Sequence, residues 1–187
     1  PRDLIWENGT CYCPVLQGLA DENPDVDAIY RLICDLPITF KENDPLILSG
    51  GTWCPFNSQN TIWHQDAFPL LYLPSYCSFR MTDIWRSFVC LAIFEVNEWA
   101  VCFHSATVWQ ERNEHNLLDD FKDEVPGYLN NQKIRNLLRS CRFRKGKGFL
   151  SYNLLIAYEK LVSEALIGEG ELDLVDAWVK DIGKVQS

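Results

Sequence analysis

The clearest periodic pattern in the chain begins at Thr82. Behind it, apolar residues recur at helical spacing: Ile84, Trp85, Phe88, Val89, Leu91 and Ala92. This pattern predicts a helix from Thr82 to Val96 that is buried along most of its length. An apolar segment, residues 68–74, leads into it and ends at Pro74. Because the first turn of a helix has free N–H groups and a positive dipole end, Thr82 is a candidate N-cap and Asp83 lies where an anion is favoured.

Strand-like segments precede this helix, and helical patterns follow it. Val15-Leu16 and residues 99–103 read as strands, 28–33 as a strand or a short helix, and 36–51 as an extended connection. After the central helix, 110–116 reads as a solvent-facing helix start, and a helix after Asp119 is expected to break at Pro126-Gly127. Further helices are predicted over 128–141, 152–166 and 171–182, the last two forming an amphipathic hairpin that must dock on the rest of the protein.

Length and charge narrow the class of protein. At 187 residues the chain suits one domain, or a large part of one. Its net charge is −9 and its pI is near 4.8, which argues against nucleic acid or an anionic membrane surface as a partner. The longest apolar runs, 68–73 and 88–94, are too short to cross a bilayer. Since the chain begins at Pro1, we expect it to be a piece of a longer protein, with any membrane anchor upstream.

The eight cysteines are scattered along the chain and contain no CxxC pair, so they do not read as a zinc site. Cys90 and Cys102 lie in apolar segments, where a free cysteine behaves as a small hydrophobe. One or two disulfides are the alternative if the compartment is oxidising. The glycosylation sequon Asn8-Gly9-Thr10 points weakly to such a compartment.

Carboxylates occur in two suggestive settings. Asp83 lies between Arg80 and Arg86, which fits either a structural ion pair or a positioned reactive group. Asp25 and Asp27 have the acid–any–acid spacing with which two carboxylates can share a divalent cation. A surface turn or a helix cap explains the same tripeptide. Both interpretations of each pattern are open at this point.

Aromatic, amide and histidine side chains supply the other candidates. Trp53 shares a polar loop with Asn57, Gln59 and Asn60, and rings beside amides suit a sugar; aromatics that close the loop onto the core are the alternative. His64 reads as a hydrogen-bonded structural residue. A second histidine, His104, is predicted to follow the 99–103 strand.

Five collinear blocks of sequence resemble the STELLO-type family (domain of unknown function 288), a family of Golgi membrane proteins with a glycosyltransferase-like domain. The blocks are residues 18–32, 57–61, 67–74, 78–86 and 104–113. The resemblance implies an α/β chain that forms the later part of a GT-A-type (nucleotide-diphospho-sugar transferase-like) fold. Residues 1–120 would be the C-terminal half of that domain, and residues 121–187 a helical extension.

The same resemblance implies a function and roles for the candidate residues. The expected reaction is transfer of a sugar from a nucleotide-sugar donor to a glycan or glycoprotein acceptor in the Golgi lumen. Asp83 would be the general base, with Arg80 and Arg86 holding it or pairing with diphosphate. Asp25 and Asp27 would line the cleft, and Asn57, Gln59, Asn60 and Trp53 would contact substrate.

Cofactor and partners are likewise implied by the resemblance. Mn²⁺ or Mg²⁺ is expected, with its main ligands upstream of this chain and His104 as a late ligand or phosphate contact; His115 is a weaker candidate. Golgi proteins are possible partners through the C-terminal helices. The alternative function is a non-catalytic, glycosyltransferase-like scaffold that organises other Golgi or cell-wall enzymes.

Overall fold

The computed structural model of the protein describes residues 10–48, 51–111 and 116–185. Its strands are β1 (Val15–Glu22), β2 (Leu46–Leu48), β3 (Thr61–Trp63) and β4 (Val101–Gln110). Its α-helices are α1 (Ala28–Ile33), α2 (Thr82–Asn97), α3 (Leu117–Ser140), α4 (Leu150–Ser163) and α5 (Glu171–Val185). Short 3₁₀ turns cover Gln65–Leu71, Phe79–Met81 and Lys147–Phe149. Among the described helices, none is both long and apolar enough to cross a membrane.

The strands of the described ranges form one sheet in the order β2-β4-β1-β3. Its central pair, β1 and β4, is parallel, with Val15 opposite Val101. Each central strand pairs on its outer side with a three-residue antiparallel strand. The helices pack against one another, and Val15 and Val101 of the sheet belong to the same buried cluster as α2. This mixture of helices and a sheet confirms the predicted α/β fold class.

Helix α2 is the centre of the hydrophobic core, as its periodicity predicts. Trp85 and every residue from Phe88 to Phe94 are buried along it. The same buried cluster contains Val15 from β1 and Val175 from α5, so residues on both sides of position 120 pack into it. Residue 120 itself lies inside α3. The two-part division of the chain stays a prediction.

The predicted break at Pro126-Gly127 is wrong: α3 runs through both residues without interruption. Tertiary packing explains this, because α3 crosses the start of α2 at Gly127. A Cβ at Gly127 would lie 2.2 Å from Sδ of Met81, so a larger residue there would have to displace the methionine side chain. One turn further on, Trp85 Nε1 donates a hydrogen bond to Asn131 Oδ1 (3.0 Å). These contacts hold the helix together across a residue that disfavours it.

Replacing Pro126 with alanine should stabilise the chain by about 1–2 kcal/mol. Alanine restores a backbone N–H inside α3 and removes a ring that crowds the preceding turn. Urea unfolding followed by tryptophan fluorescence measures the change. Pro45→Ala, in the exposed segment before β2, is the control and should bring no gain, since a loop proline restricts the unfolded chain. A loss of stability in Pro126→Ala would show that α3 needs the proline.

The structure corrects the predicted end of β4 and the predicted position of His104, and it shows which element residues 28–33 form. Strand β4 continues to Gln110, so Gln110 ends a strand and does not begin a helix. His104 is consequently the fourth residue of a ten-residue strand and not its end. The extension of β4 follows from its pairing with β1 as far as Glu22, beyond a register shift between Gly18 and Ala20. The polar end of β1, Asp21 and Glu22, gives no strand signal. Residues 28–33 form a short helix, the second of the two predicted options.

The α4–α5 hairpin forms and docks as predicted. Glu171, at the start of α5, is fully buried against the segment that follows the first 3₁₀ turn. Its carboxylate accepts hydrogen bonds from Tyr72 Oη and from the backbone N–H groups of Ser75 (3.0 Å) and Tyr76 (2.7 Å). On the next turns of α5, Trp178 Nε1 donates to the carbonyl oxygen of Pro69 (2.8 Å). A buried carboxylate therefore fixes the hairpin on the body of the domain.

All eight cysteines lie in the described ranges, and each is a free thiol. Cys90 is fully buried, and burial raises its pKa to about 12. Burial also raises the pKa of Cys13 to about 11. Because the thiolate is the reactive form, these two side chains stay protonated at neutral pH and act as packing groups.

Candidate functional site

A cavity of about 480 Å³ opens at the N-terminus of α2. We call it the α2 cavity. Its walls come from the turn after β1, the loop before β3, the 3₁₀ turn Phe79–Met81 with the start of α2, and one side of α3. Four of the predicted site residues line it: Asp25, Asp27, Arg80 and Asp83. The other six do not: Trp53, Asn57, Gln59, Asn60, Arg86 and His104.

The Asp83 carboxylate is held through one oxygen. Its Oδ2 accepts the backbone N–H of Ser58 at 2.9 Å. Within the described part of the chain, Oδ1 has no hydrogen bond, and neither Arg80 nor Arg86 pairs with this carboxylate. The structural ion pair considered from the sequence is therefore not what holds Asp83. One oxygen is fixed by the backbone, and the other is available to a ligand.

Thr82 is not the N-cap that the sequence predicts. The 3₁₀ turn Phe79–Met81 runs directly into α2, so Thr82 already lies in its first turn and Met81 takes the cap position. The Thr82 hydroxyl donates back to the carbonyl oxygen of Phe79 (3.0 Å). The continuous helical turn takes the place of a side-chain cap here, since the backbone N–H of Thr82 donates to the carbonyl oxygen of Phe79.

Arg80 forms its main ion pair with Glu124 of α3. Its Nη2 lies 2.7 Å and its Nε 3.1 Å from Glu124 Oε1, while Nη1 lies 3.9 Å from Asp25 Oδ1. Burial lowers the pKa of Arg80, but the hydrogen bond to Glu124 and the charges of nearby carboxylates outweigh it, so the pKa is raised. The sequence gives no sign of this pair, because 44 residues separate its members.

The Glu124 carboxylate of α3 joins the 3₁₀ turn at Arg80 to the start of α1. Besides Arg80, its carboxylate accepts the backbone N–H of Ala28 (2.8 Å) and the hydroxyl of Tyr128 (2.8 Å). Burial and this carboxylate raise the pKa of Tyr128 above its usual range, so the hydroxyl stays protonated. Asp27 Oδ1 caps α1 by accepting the N–H of Tyr30 (2.9 Å). Of the interpretations given above for the Asp25–Asp27 tripeptide, this is the helix cap.

Arg86 lies behind the cavity and supports it through Ser58. The side chain is nearly buried, with 4% of its surface exposed, and its guanidinium lies 5.0 Å from the centre of the Trp63 ring. Its Nη2 donates to Ser58 Oγ (3.0 Å), and the N–H of the same serine holds Asp83. Ser58 therefore connects Arg86 to the Asp83 carboxylate.

Arg86→Lys should lower the free energy of unfolding by about 1–3 kcal/mol. A lysine ammonium cannot keep both the flat contact on Trp63 and the hydrogen bond to Ser58, because it lacks the planar fork of arginine. Urea unfolding measures the loss. Arg139→Lys is the matched control: its half-exposed side chain pairs with Glu95 at the surface, so we expect less than about 0.5 kcal/mol. Equal losses in the two variants would contradict the role of Arg86.

The predicted sugar-binding amides are hydrogen-bonded within the protein. Gln59 Oε1 accepts the N–H of Asp25 (2.9 Å), and its Nε2 donates to Gln110. Asn60 Nδ2 donates to the carbonyl oxygen of Leu19 (2.8 Å), and Asn57 Oδ1 accepts from Gln17 Nε2 (3.2 Å). These amides fix the loop before β3 onto the sheet and the turn at Asp25. They shape the cavity from behind and do not face it.

The aromatic residues of this loop close it onto the core, which is the second of the two alternatives weighed above. Phe56 is 2% exposed and packs edge-on against Trp63. The Trp53 ring packs against Phe88, and its Nε1 donates to Glu95 Oε2 (3.1 Å).

The histidines do not gather at the cavity. His64 is hydrogen-bonded to Tyr12 Oη (2.8 Å), as expected for a structural histidine. His104 lies against Gly18 of β1, where a Cβ would come within 2.5 Å of its Cε1 atom, and its Nδ1 lies 2.9 Å from the carbonyl oxygen of Ser105. His115 falls outside the described residues.

The described residues do not fit a metal site. In the three described ranges, no group of three or more His, Cys, Asp or Glu side chains could hold a metal ion. His104 has no such companions. A site for Mn²⁺ or Mg²⁺, with its main ligands upstream, stays a prediction about the longer protein.

The sequence of this chain matches a known family over the part that carries α2 and α3. The match is to a family described as STELLO glycosyltransferases, and it covers residues 80–186, more than half of the chain. The chain belongs to the STELLO glycosyltransferase family. The matched region of this STELLO chain includes Arg80, Asp83, Glu124 and Tyr128, four residues that line the α2 cavity.

Two curated relatives from Arabidopsis thaliana support this assignment. The protein named "Probable glycosyltransferase STELLO2" is 25% identical over 177 residues, which is 90% of this chain and 22% of that protein. "Probable glycosyltransferase STELLO1" is 32% identical over 80 residues, which is 40% of this chain and 10% of that protein. The matched part of this STELLO chain thus corresponds to about a fifth of the length of the first relative and a tenth of the length of the second.

Proposed function

We propose that this chain forms the acceptor-side wall of a sugar-transferring cleft in a Golgi glycosyltransferase. The longer protein would transfer a sugar from a nucleotide-sugar to a glycan or glycoprotein acceptor. One observation carries the proposal: Asp83 lines the α2 cavity with one carboxylate oxygen fixed by Ser58 and the other without a hydrogen bond in the described ranges. Family membership supports glycosyltransferase-like chemistry.

Asp83 would act as the general base of the transfer. An acceptor hydroxyl donates a hydrogen bond to Oδ1 of Asp83, and the carboxylate takes the proton as the acceptor oxygen attacks the anomeric carbon of the donor. A C–O bond to the acceptor forms, and the bond from the sugar to the nucleoside diphosphate breaks. The hydrogen bond from the Ser58 N–H to Oδ2 keeps the carboxylate in place.

The charge of the cavity supports the acceptor side over the donor side. Four carboxylates line it, those of Asp25, Asp27, Asp83 and Glu124, and Arg80 is the one cationic side chain among its described lining residues. Since Arg80 is already paired with Glu124, a diphosphate would meet unfavourable charge here. In this proposal the donor diphosphate binds to the part of the protein outside this chain, with any Mn²⁺ or Mg²⁺.

A non-catalytic scaffold is the second candidate function. It is favoured by the extent to which Arg80, Asp27 and Glu124 are bonded within the protein, as structural groups are. Partner proteins could then bind the C-terminal helices, where Leu174 and Val185 of α5 are exposed.

A screen of the full-length protein for donor hydrolysis and sugar transfer separates the two functions. Release of nucleoside diphosphate from a nucleotide-sugar, followed by transfer to a glycan, supports the enzyme. Absence of both activities across all common donors, with Mn²⁺ and Mg²⁺ supplied, would favour the scaffold.

The 187-residue chain alone should not bind nucleotide. The α2 cavity repels diphosphate, and the described residues form no metal site that could offset this repulsion. Calorimetric titration with uridine diphosphate, with and without Mn²⁺, should therefore give no saturable heat. A dissociation constant in the micromolar range would place the donor on this chain and overturn the division between donor and acceptor sides.

A further inference from the structure

We propose that the α2 cavity selects acceptor sugars that bear no negative charge, and that Phe79 stacks on the carbon face of the bound sugar. The inference rests on the proposed function, because it takes the acceptor to be the ligand of this cavity. It adds to that function a substrate class and a residue that determines specificity.

The first argument is the sign of the charges on the cavity wall. Four carboxylates, those of Asp25, Asp27, Asp83 and Glu124, line it against the single guanidinium of Arg80, so the described wall carries a net negative charge. Oδ1 of Asp83, which has no hydrogen bond in the described ranges, offers an acceptor atom to a sugar hydroxyl or amino group. A uronic acid, sialic acid or phosphorylated sugar would instead bring an anion close to like charges in a partly desolvated site. Neutral and amino sugars match the wall, and acidic sugars do not.

The second argument is the apolar rim of the same cavity. Phe79 lines it and keeps 84% of its surface exposed, although a phenylalanine is normally buried. Leu73 and Tyr128 also line the cavity and are 44% and 45% exposed. Aromatic rings bind sugars by stacking on the C–H groups of the pyranose face. The rim thus presents an exposed ring next to hydrogen-bond acceptors, which is the combination that a pyranose requires.

The backbone holds Phe79 at this position. It is the first residue of the 3₁₀ turn that continues into α2, and its carbonyl oxygen accepts the Thr82 hydroxyl (3.0 Å). The next residue, Arg80, is fixed to Glu124. Neither the hydrogen bond to the Phe79 carbonyl oxygen nor the Arg80–Glu124 pair involves the Phe79 ring. Removing that ring should therefore leave the backbone in place.

Ligand-observed NMR with two probes tests the proposal. Methyl β-glucoside and methyl β-glucuronide differ only in a hydroxymethyl group and a carboxylate, and saturation transfer from the chain to each sugar reports their binding. We expect the neutral glucoside to bind about tenfold more tightly than the glucuronide, with the preference shrinking as salt is raised. Phe79→Ala should weaken glucoside binding by about three- to tenfold.

Two variants make the test specific. Leu129→Ala removes a side chain that is 75% exposed on α3 but does not line the cavity, so it should leave glucoside binding unchanged. Asp25→Asn should reduce the preference for the glucoside, because it removes a negative charge from the wall. Equal binding of the two sugars, no binding of either, or unchanged binding in Phe79→Ala would each overturn the inference.

Failure here is distinguishable from failure of the proposed function. A full-length protein that transfers sugar equally well to neutral and acidic acceptors would keep the enzyme and end the selectivity. If the chain binds the glucoside in the expected way but the full-length protein transfers no sugar, the selectivity of the cavity is supported and the proposed enzyme function is lost.

Discussion

Asp83→Asn in the full-length protein should lower the rate of sugar transfer by about 10²- to 10⁴-fold, which is a loss of activity in most assays. Asparagine keeps an oxygen for the Ser58 N–H, so the loop before β3 should stay in place. It cannot accept the proton of an acceptor hydroxyl, and general-base catalysis is worth about this factor. Donor binding should change little, because in our proposal the donor does not contact this cavity. Transfer kinetics and donor affinity, measured on the same preparation, check both statements.

Asp173→Asn is the matched control for this experiment. Asp173 is also a carboxylate in the first turn of a helix, but it is exposed at the start of α5 and does not line the cavity. Transfer should be unchanged in this variant. If transfer also survives in Asp83→Asn, the carboxylate of Asp83 serves only to hold Ser58.

Glu171→Ala should lower the free energy of unfolding by about 3–5 kcal/mol. The variant leaves the Tyr72 hydroxyl and the N–H groups of Ser75 and Tyr76 without their acceptor. The buried hydroxyl of Tyr72 alone costs about 1–3 kcal/mol when unsatisfied, and the partly buried N–H groups add to this loss. It also opens space beneath the α4–α5 hairpin, because the glutamate side chain is fully buried. Urea unfolding followed by tryptophan fluorescence measures the loss.

Glu171→Gln refines the same prediction. The amide oxygen can replace one carboxylate oxygen, but the NH₂ group then faces a donor, so we expect a smaller loss of about 2–3 kcal/mol. The exposed first-turn residue Asp173 again supplies the control, since Asp173→Asn should change stability by less than about 0.5 kcal/mol. A loss below about 1 kcal/mol in Glu171→Ala would mean that the hairpin docks through its apolar face alone.

Local patterns in the sequence account for much of the fold. The spacing of Trp85, Phe88 and Val89 predicts α2 to within one residue at its end, since the helix stops at Asn97. The periodicity that predicts the α4–α5 hairpin is of the same kind. Pattern alone was misleading at Pro126-Gly127, where a tight crossing with Met81 overrides the preference of both residues. The secondary structure of each of these segments therefore follows its local sequence pattern, except where a contact with a distant residue opposes that pattern.

The candidate site was harder to predict, because it depends on distant pairs. The acidic tripeptide and the start of α2 could be identified from sequence, and Asp25, Asp27, Arg80 and Asp83 do share one cavity. Glu124 could not, since nothing in the charge pattern of α3 distinguishes it from the neighbouring Asp123.

The role of Ser58 could not be predicted from the sequence either. It contacts Asp83 through its backbone N–H, which every residue except proline has. The amides beside it have the composition of a sugar site but serve the loop itself.

The parallel pairing of β1 with β4 has a consequence for how the protein is made. Residues 23–100 separate the two strands, and before β4 is available β1 has as its sheet neighbour in the described chain only the three-residue β3. A nascent chain leaving the ribosome must therefore keep one edge of β1 unpaired until residue 110 has emerged. Long-range parallel contacts of this kind form slowly. Chaperone binding during translation should consequently be strongest before β4 appears and should fall once it has been synthesised.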